Sequence, residues 1–174
     1  LVFAYMGDPE KKPELPEYDT FTRPEGTRFV AFSNIYPCNF LQVFENVSDH
    51  FHTAILHNGM TVDSLDEATK QSITLAGFVG LPTVHWEEAR DGNGLMFVSC
   101  RRNPDNQTFW VSSIELSFPN FIQFGALYGA ARKQRHSTVA LSRWHVPVDN
   151  THMIMFGWRH FNDEVDPDHL GRPE

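Results

Sequence analysis

Asn39-Phe40-Leu41-Gln42-Val43-Phe44-Glu45-Asn46-Val47-Ser48-Asp49-His50-Phe51-His52-Thr53-Ala54-Ile55-Leu56-His57 is the one long helical pattern in the chain. Phe40, Phe44, Val47, Phe51, Ala54 and Ile55 recur at spacings of three and four. At about 100° per residue they fall in a single stripe. Glu45, Asp49, His52 and Leu56 fall on the opposite side. The pattern predicts a helix from Asn39 to about His57, closed by the C-cap signal Asn58-Gly59.

Outward from this segment the texture is β. Upstream, Arg28-Phe29-Val30-Ala31-Phe32 is a strand candidate. Downstream, 84–87, 95–100, 109–111 and 114–116 are short and rich in β-branched and aromatic residues, and 137–145 and 152–160 read the same way. Asp91-Gly92-Asn93-Gly94 is a hairpin signal, Asn103-Pro104-Asp105-Asn106 a second turn, and Phe118-Pro119-Asn120-Phe121 a bend. Asp63 to Gln71 is polar, a short helix or a loop. Asp8 to Gly26, with Pro9, Pro13, Pro16 and Pro24 among acidic residues, reads as an extended connector that covers a surface. One long helix followed by five to seven antiparallel strands is an α+β plan, with the helix packed on a curved sheet.

Composition bounds the function. The chain has 174 residues, 41% hydrophobic and 13% aromatic, enough for one domain with a sizeable core. Its net charge of -8, without a basic run, argues against nucleic-acid binding. No apolar run approaches the roughly 18–20 residues of a membrane span. Cys38 and Cys100 form no disulfide framework, so a cytoplasmic setting is expected. The apolar opening Leu1-Val2-Phe3-Ala4-Tyr5-Met6-Gly7 reads as a strand entered midway, and 162–174 as a loop without a closing element. We therefore expect this chain to be part of a longer one.

Nine histidines are present. His85, His136, His145, His152 and His160 are dispersed and read as structural or surface residues. Asp49-x2-His52-x4-His57 is different. Two neutral imidazoles with a carboxylate nearby suit a borderline divalent ion, and with open positions that set is the facial triad of non-haem Fe(II) oxygenases. Positions five apart lie about 140° apart on a regular α-helix. His52 and His57 can therefore meet only if a π-bulge, or a loosened C-terminal turn, lies between them. Asp49 and His52 are i, i+3 neighbours, which suits Asp49 as the partner that orients His52 rather than as a ligand. Periodicity alone leaves a second reading open, in which Asp49, His50 and His52 face water.

Cys38-Asn39-Phe40-Leu41-Gln42 followed by Glu45-Asn46-x2-Asp49-x2-His52-x4-His57 resembles the iron-binding segment of Rieske non-haem iron aromatic-ring-hydroxylating oxygenases, in the phthalate and phenoxybenzoate dioxygenase branch. Leu1-Val2-Phe3-Ala4-Tyr5-Met6-Gly7-Asp8-Pro9-Glu10 resembles the strand and turn that leave the Rieske domain there. Trp144-x-Val146-Pro147-Val148-Asp149-Asn150-Thr151-His152 resembles a late strand pair of the catalytic domain.

The resemblance implies a helix-grip (Bet v 1/START-like) catalytic domain at 27–174, with 1–26 as the connector leaving a Rieske domain. It implies a mononuclear Fe(II) held by His52 and His57. Asp49 would bridge to the Rieske cluster of a neighbouring subunit, and Asn46 would match an Asn near the iron. It further implies O2 and an aromatic substrate, with ring hydroxylation or aryl-ether cleavage as the reaction. Electrons would come from NAD(P)H through a reductase, sometimes with a ferredoxin, and the assembly would be a homotrimer. Two departures stand. The Cys-x-His and Cys-x2-His pairs of a [2Fe–2S] Rieske cluster are absent, which places that domain before Leu1. The third iron ligand, an Asp on a late helix in the family, is expected beyond Glu174, because Asp163, Glu164, Asp166 and Asp168 sit in a loop context that does not match. A non-catalytic helix-grip binder of a hydrophobic ligand is the alternative.

Overall fold

The computed structural model describes residues 3–23, 25–57, 80–89, 92–102, 107, 109–125, 139–163 and 165. Among the described residues seven strands form one antiparallel sheet: β1 (Arg28–Tyr36), β2 (Thr83–Glu88), β3 (Gly94–Arg102), β4 (Phe109–Ser117), β5 (Phe121–Gly125), β6 (Val139–Pro147) and β7 (Met153–Phe161). Their order is β1-β7-β6-β5-β4-β3-β2. Strands β2 to β7 are thus a meander, and β1 pairs with β7 at the far edge. The helical segment lies between β1 and β2, which are the two edges of the sheet.

Each face of the sheet carries a buried cluster, for a reason visible in the alternation of side chains. Successive residues of a strand point to opposite faces. Phe97, Leu116 and Ile122 project to one face, where Phe44 of helix α1 (Phe40–Ser48) completes a buried cluster. Phe121, Trp144 and Trp158 project to the other face, packed against Tyr18 of the connector. The Tyr18 ring centre lies 4.1 Å from that of Phe121. Thr20, buried beside it, bonds through its hydroxyl to His160 Nε2 at 2.8 Å and accepts the indole N–H of Trp158. A helix laid on one face of an antiparallel sheet is the α+β layer plan expected from the sequence.

Three sequence expectations need correction. The helix is not continuous from Asn39 to His57. Helix α1 ends at Ser48, a single α-turn α2 follows at His50–His52, and Thr53–His57 is π-helical. Residues 109–111 and 114–116 belong to one strand, β4. The bend read at Phe118-Pro119-Asn120-Phe121 is a turn that ends at Asn120, and Phe121 opens a strand, β5, that the sequence does not announce. The features read at 58–71 and 103–106 lie outside the described residues, as does His136.

Candidate metal centre

The candidate site is built on the break in the helix. Asn39 starts α1 by accepting the Leu41 amide on its side-chain oxygen at 2.9 Å, the ordinary N-cap bond. At the other end Ser48 folds its hydroxyl back to the Glu45 carbonyl at 2.6 Å, and the Asp49 amide bonds to the Asn46 carbonyl at 3.2 Å. Asp49 itself is extended, with φ -91° and ψ 94°. It then restarts the helix: its Oδ1 accepts from the amides of Phe51 at 2.9 Å and His52 at 3.3 Å. Aspartate favours this role because its carboxylate satisfies amides that a first helical turn leaves unpaired.

The restart redirects the side chains. Phe51 and Ile55, expected on the buried stripe, are exposed, whereas His50, expected opposite it, is buried. The His50 ring stands edge-on to Phe97 at 4.7 Å between centres. Burial, then the neighbouring Arg101 charge, pulls its pKa down to about 4, so the ring is neutral at pH 7.

The π-helical turn brings the two predicted imidazoles together. In such a turn the hydrogen bond spans five residues, so positions five apart share a face. The His52 and His57 ring centres are 5.1 Å apart, with the planes at 68°. A metal–imidazole bond of roughly 2.1 Å sets each ring centre about 3.2 Å from an ion, so two rings meeting at an angle of about 100° lie about 5 Å apart. His52 donates its Nδ1–H to the main-chain carbonyl of Asp49, which fixes the tautomer and leaves Nε2 with a lone pair available to a ligand. Asp49 is therefore the partner of His52 through its carbonyl, while its exposed carboxylate caps α2.

Asn46 is exposed on the last turn of α1 and contributes its carbonyl to the Asp49 turn. Among the described residues no group of three His, Cys, Asp or Glu side chains converges on a metal position. The donor chemistry of His52 and His57 fits two ligands of a divalent ion.

Sequence reasoning missed three residues here: His50, Thr53 and Arg101. Arg101 is a buried guanidinium on β3 whose Nη2 reaches the His50 carbonyl at 2.9 Å and the Thr53 hydroxyl at 2.6 Å. No local pattern signals it, because it lies 48 residues from Thr53. Among the described residues, the other dispersed histidines sit in structural or surface settings. His85 pairs with Glu87, His152 with Asp149, His160 with Thr20, and His145 is buried beside Phe44.

No family model matches the chain. The oxygenase subunit of tert-butanol monooxygenase / tert-amyl alcohol desaturase from Aquincola tertiaricarbonis is 50% identical over 100% of this chain, which spans 37% of that relative. The alpha subunit of phenoxybenzoate dioxygenase from Ectopseudomonas oleovorans is 32% identical over 87% of this chain and 36% of its own length. Among solved structures, dicamba monooxygenase bound to dicamba aligns over 95% of this chain and 47% of that one, at 12% identity and a TM-score of 0.49. Spanning somewhat more than a third of the curated relatives it matches, the chain belongs to the oxygenase subunits of the Rieske-type oxygenases.

Proposed function

We propose that this chain is the iron-holding part of an oxygenase subunit that inserts O2-derived oxygen into a small organic substrate, with His52 and His57 as the two imidazole ligands of mononuclear Fe(II). The observation that carries this reading is the pairing of the two rings at 5.1 Å across a π-helical turn. Ferrous iron, when bound there, supplies the activation of O2. The chain's own residues hold and orient. The Asp49 carbonyl keeps His52 in the tautomer that presents Nε2, and the Asp49 carboxylate is exposed at the restart of the helix. In this reading the Asp49 carboxylate would pass an electron in from a neighbouring subunit, Asn46 would lie near the metal position, and a carboxylate outside the described residues would complete the ligand set.

The rest of the proposal follows the family. Residues 1–26 connect to a Rieske domain and 27–174 form the iron domain. The assembly is a cytoplasmic homotrimer fed by NAD(P)H through a reductase, with a ferredoxin in some systems. Among the described residues no helix is long and apolar enough to cross a membrane.

An aromatic substrate, attacked at the ring or at an ether carbon, is the first reading, and the phenoxybenzoate relative supports it. The relative at 50% identity is named for tert-butanol and tert-amyl alcohol, which favours a short branched alcohol as the second. Oxygen-uptake assays with both classes separate the two.

The ligand assignment is tested on the full-length protein reconstituted anaerobically with Fe(II). His52→Ala and His57→Ala should each lose the stoichiometric iron of the parent protein, read by metal analysis. Undiminished iron in either variant overturns the assignment. A parent protein that takes up no iron favours the non-catalytic binder.

A further inference from the structure

A guanidinium buried in a sheet is costly unless its donors are used, and Arg101 is only 3% exposed. It stands on β3 in line with Phe97 and Ser99, since side chains two and four positions apart share a face. This one row of the strand grips the helical segment twice. Phe97 meets the ring of His50, and Arg101 meets the His50 carbonyl.

Three atoms close a triangle at the start of the π-helical turn. Arg101 Nη2 donates to the His50 carbonyl at 2.9 Å and to the Thr53 hydroxyl at 2.6 Å, and the Thr53 hydroxyl donates to the same His50 carbonyl at 2.7 Å. A second nitrogen, Nη1, reaches the Ser99 hydroxyl at 3.5 Å. The carbonyl that an ordinary helix would bond to an amide one turn later is therefore loaded with two side-chain donors. Such side-chain bonding to a helix carbonyl destabilises and often bends the helix, and here it coincides with the start of a π-helical turn. The triangle sits at residues 50 and 53, next to His52 and at the head of the turn that ends at His57.

We propose that Arg101, through the His50 carbonyl and the Thr53 hydroxyl, is the positioning residue that sets the loose winding between His52 and His57 and so the spacing of the two metal ligands. The inference rests on the iron-site reading above. It assigns Arg101 no contact with metal or substrate. The planar guanidinium suits the task because Nη2 carries two N–H bonds held in one plane, one for each oxygen, whereas the donors of an ammonium rotate about its stem.

The test uses Co(II) as the probe metal on the full-length protein, with affinity from competition and ligand geometry from the visible absorption bands of the bound ion. Arg101→Met and Thr53→Val should each weaken Co(II) binding by about tenfold or more and alter the spectrum, the scale usual for residues that orient ligands. Thr53→Ser should restore both readouts. Arg101→Lys should restore affinity in part.

If Arg101→Met does not fold, Thr53→Val against Thr53→Ser decides alone. Wild-type affinity and spectrum in Thr53→Val overturn the proposal. So does a lowered melting temperature with an unchanged spectrum in either variant. His52→Ala and His57→Ala serve as controls. If they keep Co(II), the site reading itself fails. If they lose it while the Arg101 and Thr53 variants bind normally, only the positioning role fails.

Discussion

Asp49 holds two jobs that single substitutions can separate. Its Oδ1 caps α2, and its carbonyl orients His52. Asparagine keeps an acceptor at Oδ1, so Asp49→Asn should leave stability near that of the parent, whereas Asp49→Ala should cost about 1 kcal/mol, the usual value of an N-cap. If the carboxylate also carries the electron, Asp49→Asn should retain iron yet slow turnover by roughly tenfold or more. Denaturant unfolding, metal analysis and NADH-coupled oxygen uptake measure the three effects. Full turnover in Asp49→Asn would remove the bridging role and leave the cap. The break itself was open to detection in sequence, because Ser48-Asp49 are both cap formers. The apolar spacing masks it, because that spacing runs on unchanged through Phe51 and Ile55.

The elements show where periodicity is sufficient and where it fails. Strands β3, β6 and β7 were legible because their apolar residues are β-branched, aromatic or long and sit between turn signals. Strand β5 was not. Phe121 points to the cluster with Trp144, while Ile122 points to the cluster with Phe44, so no alternation of polar and apolar residues marks it. The β6–β7 pairing has its own steric condition at Gly157, opposite Arg143. A Cβ added there would lie 2.1 Å from the Ser142 carbonyl oxygen and 2.7 Å from the Arg143 Cα. Both are backbone atoms of a paired strand and cannot swing aside. Gly157→Ala should therefore cost roughly 1–3 kcal/mol, the range of overpacked interiors, with the loss read as a lowered denaturant midpoint. An unchanged midpoint would mean that β6 and β7 can separate locally without penalty.

Across the whole molecule, buried histidines link the two faces of the sheet to pH. His145 lies on the helix side beside Phe44, and His160 is bonded to Thr20 of the connector on the other side. Burial lowers His145 to about 3, aided by the Arg143 charge. Burial also lowers His160 to about 4, against the bond to the Val139 carbonyl. Each is neutral in the folded protein at pH 7. As pH falls below the ordinary value of about 6.5, the unfolded chain takes up protons that the folded one refuses. Stability is thus complete above that value and declines towards pH 4, by up to about 1.4 kcal/mol per pH unit for each histidine. Urea unfolding at pH 7, 6 and 5 should show the decline, and His160→Gln should flatten its slope. Equal slopes in parent and variant would exclude His160 as a contributor.

The sequence by itself determined the layer plan and the pair of imidazoles, because both rest on local regularities: the period of side chains along a strand or helix, and the types of donor atom at a short spacing. It also pointed to the need for a loosened turn between His52 and His57, since an ideal α-helix keeps them on different faces. Tertiary structure alone decided which histidine is buried, which oxygen of Asp49 meets His52, and that Arg101 reaches back across 48 residues to Thr53. Those outcomes depend on how β3 lies beneath the broken helix. Atoms brought together from distant parts of the chain leave no periodic trace along it, so only packing reveals them.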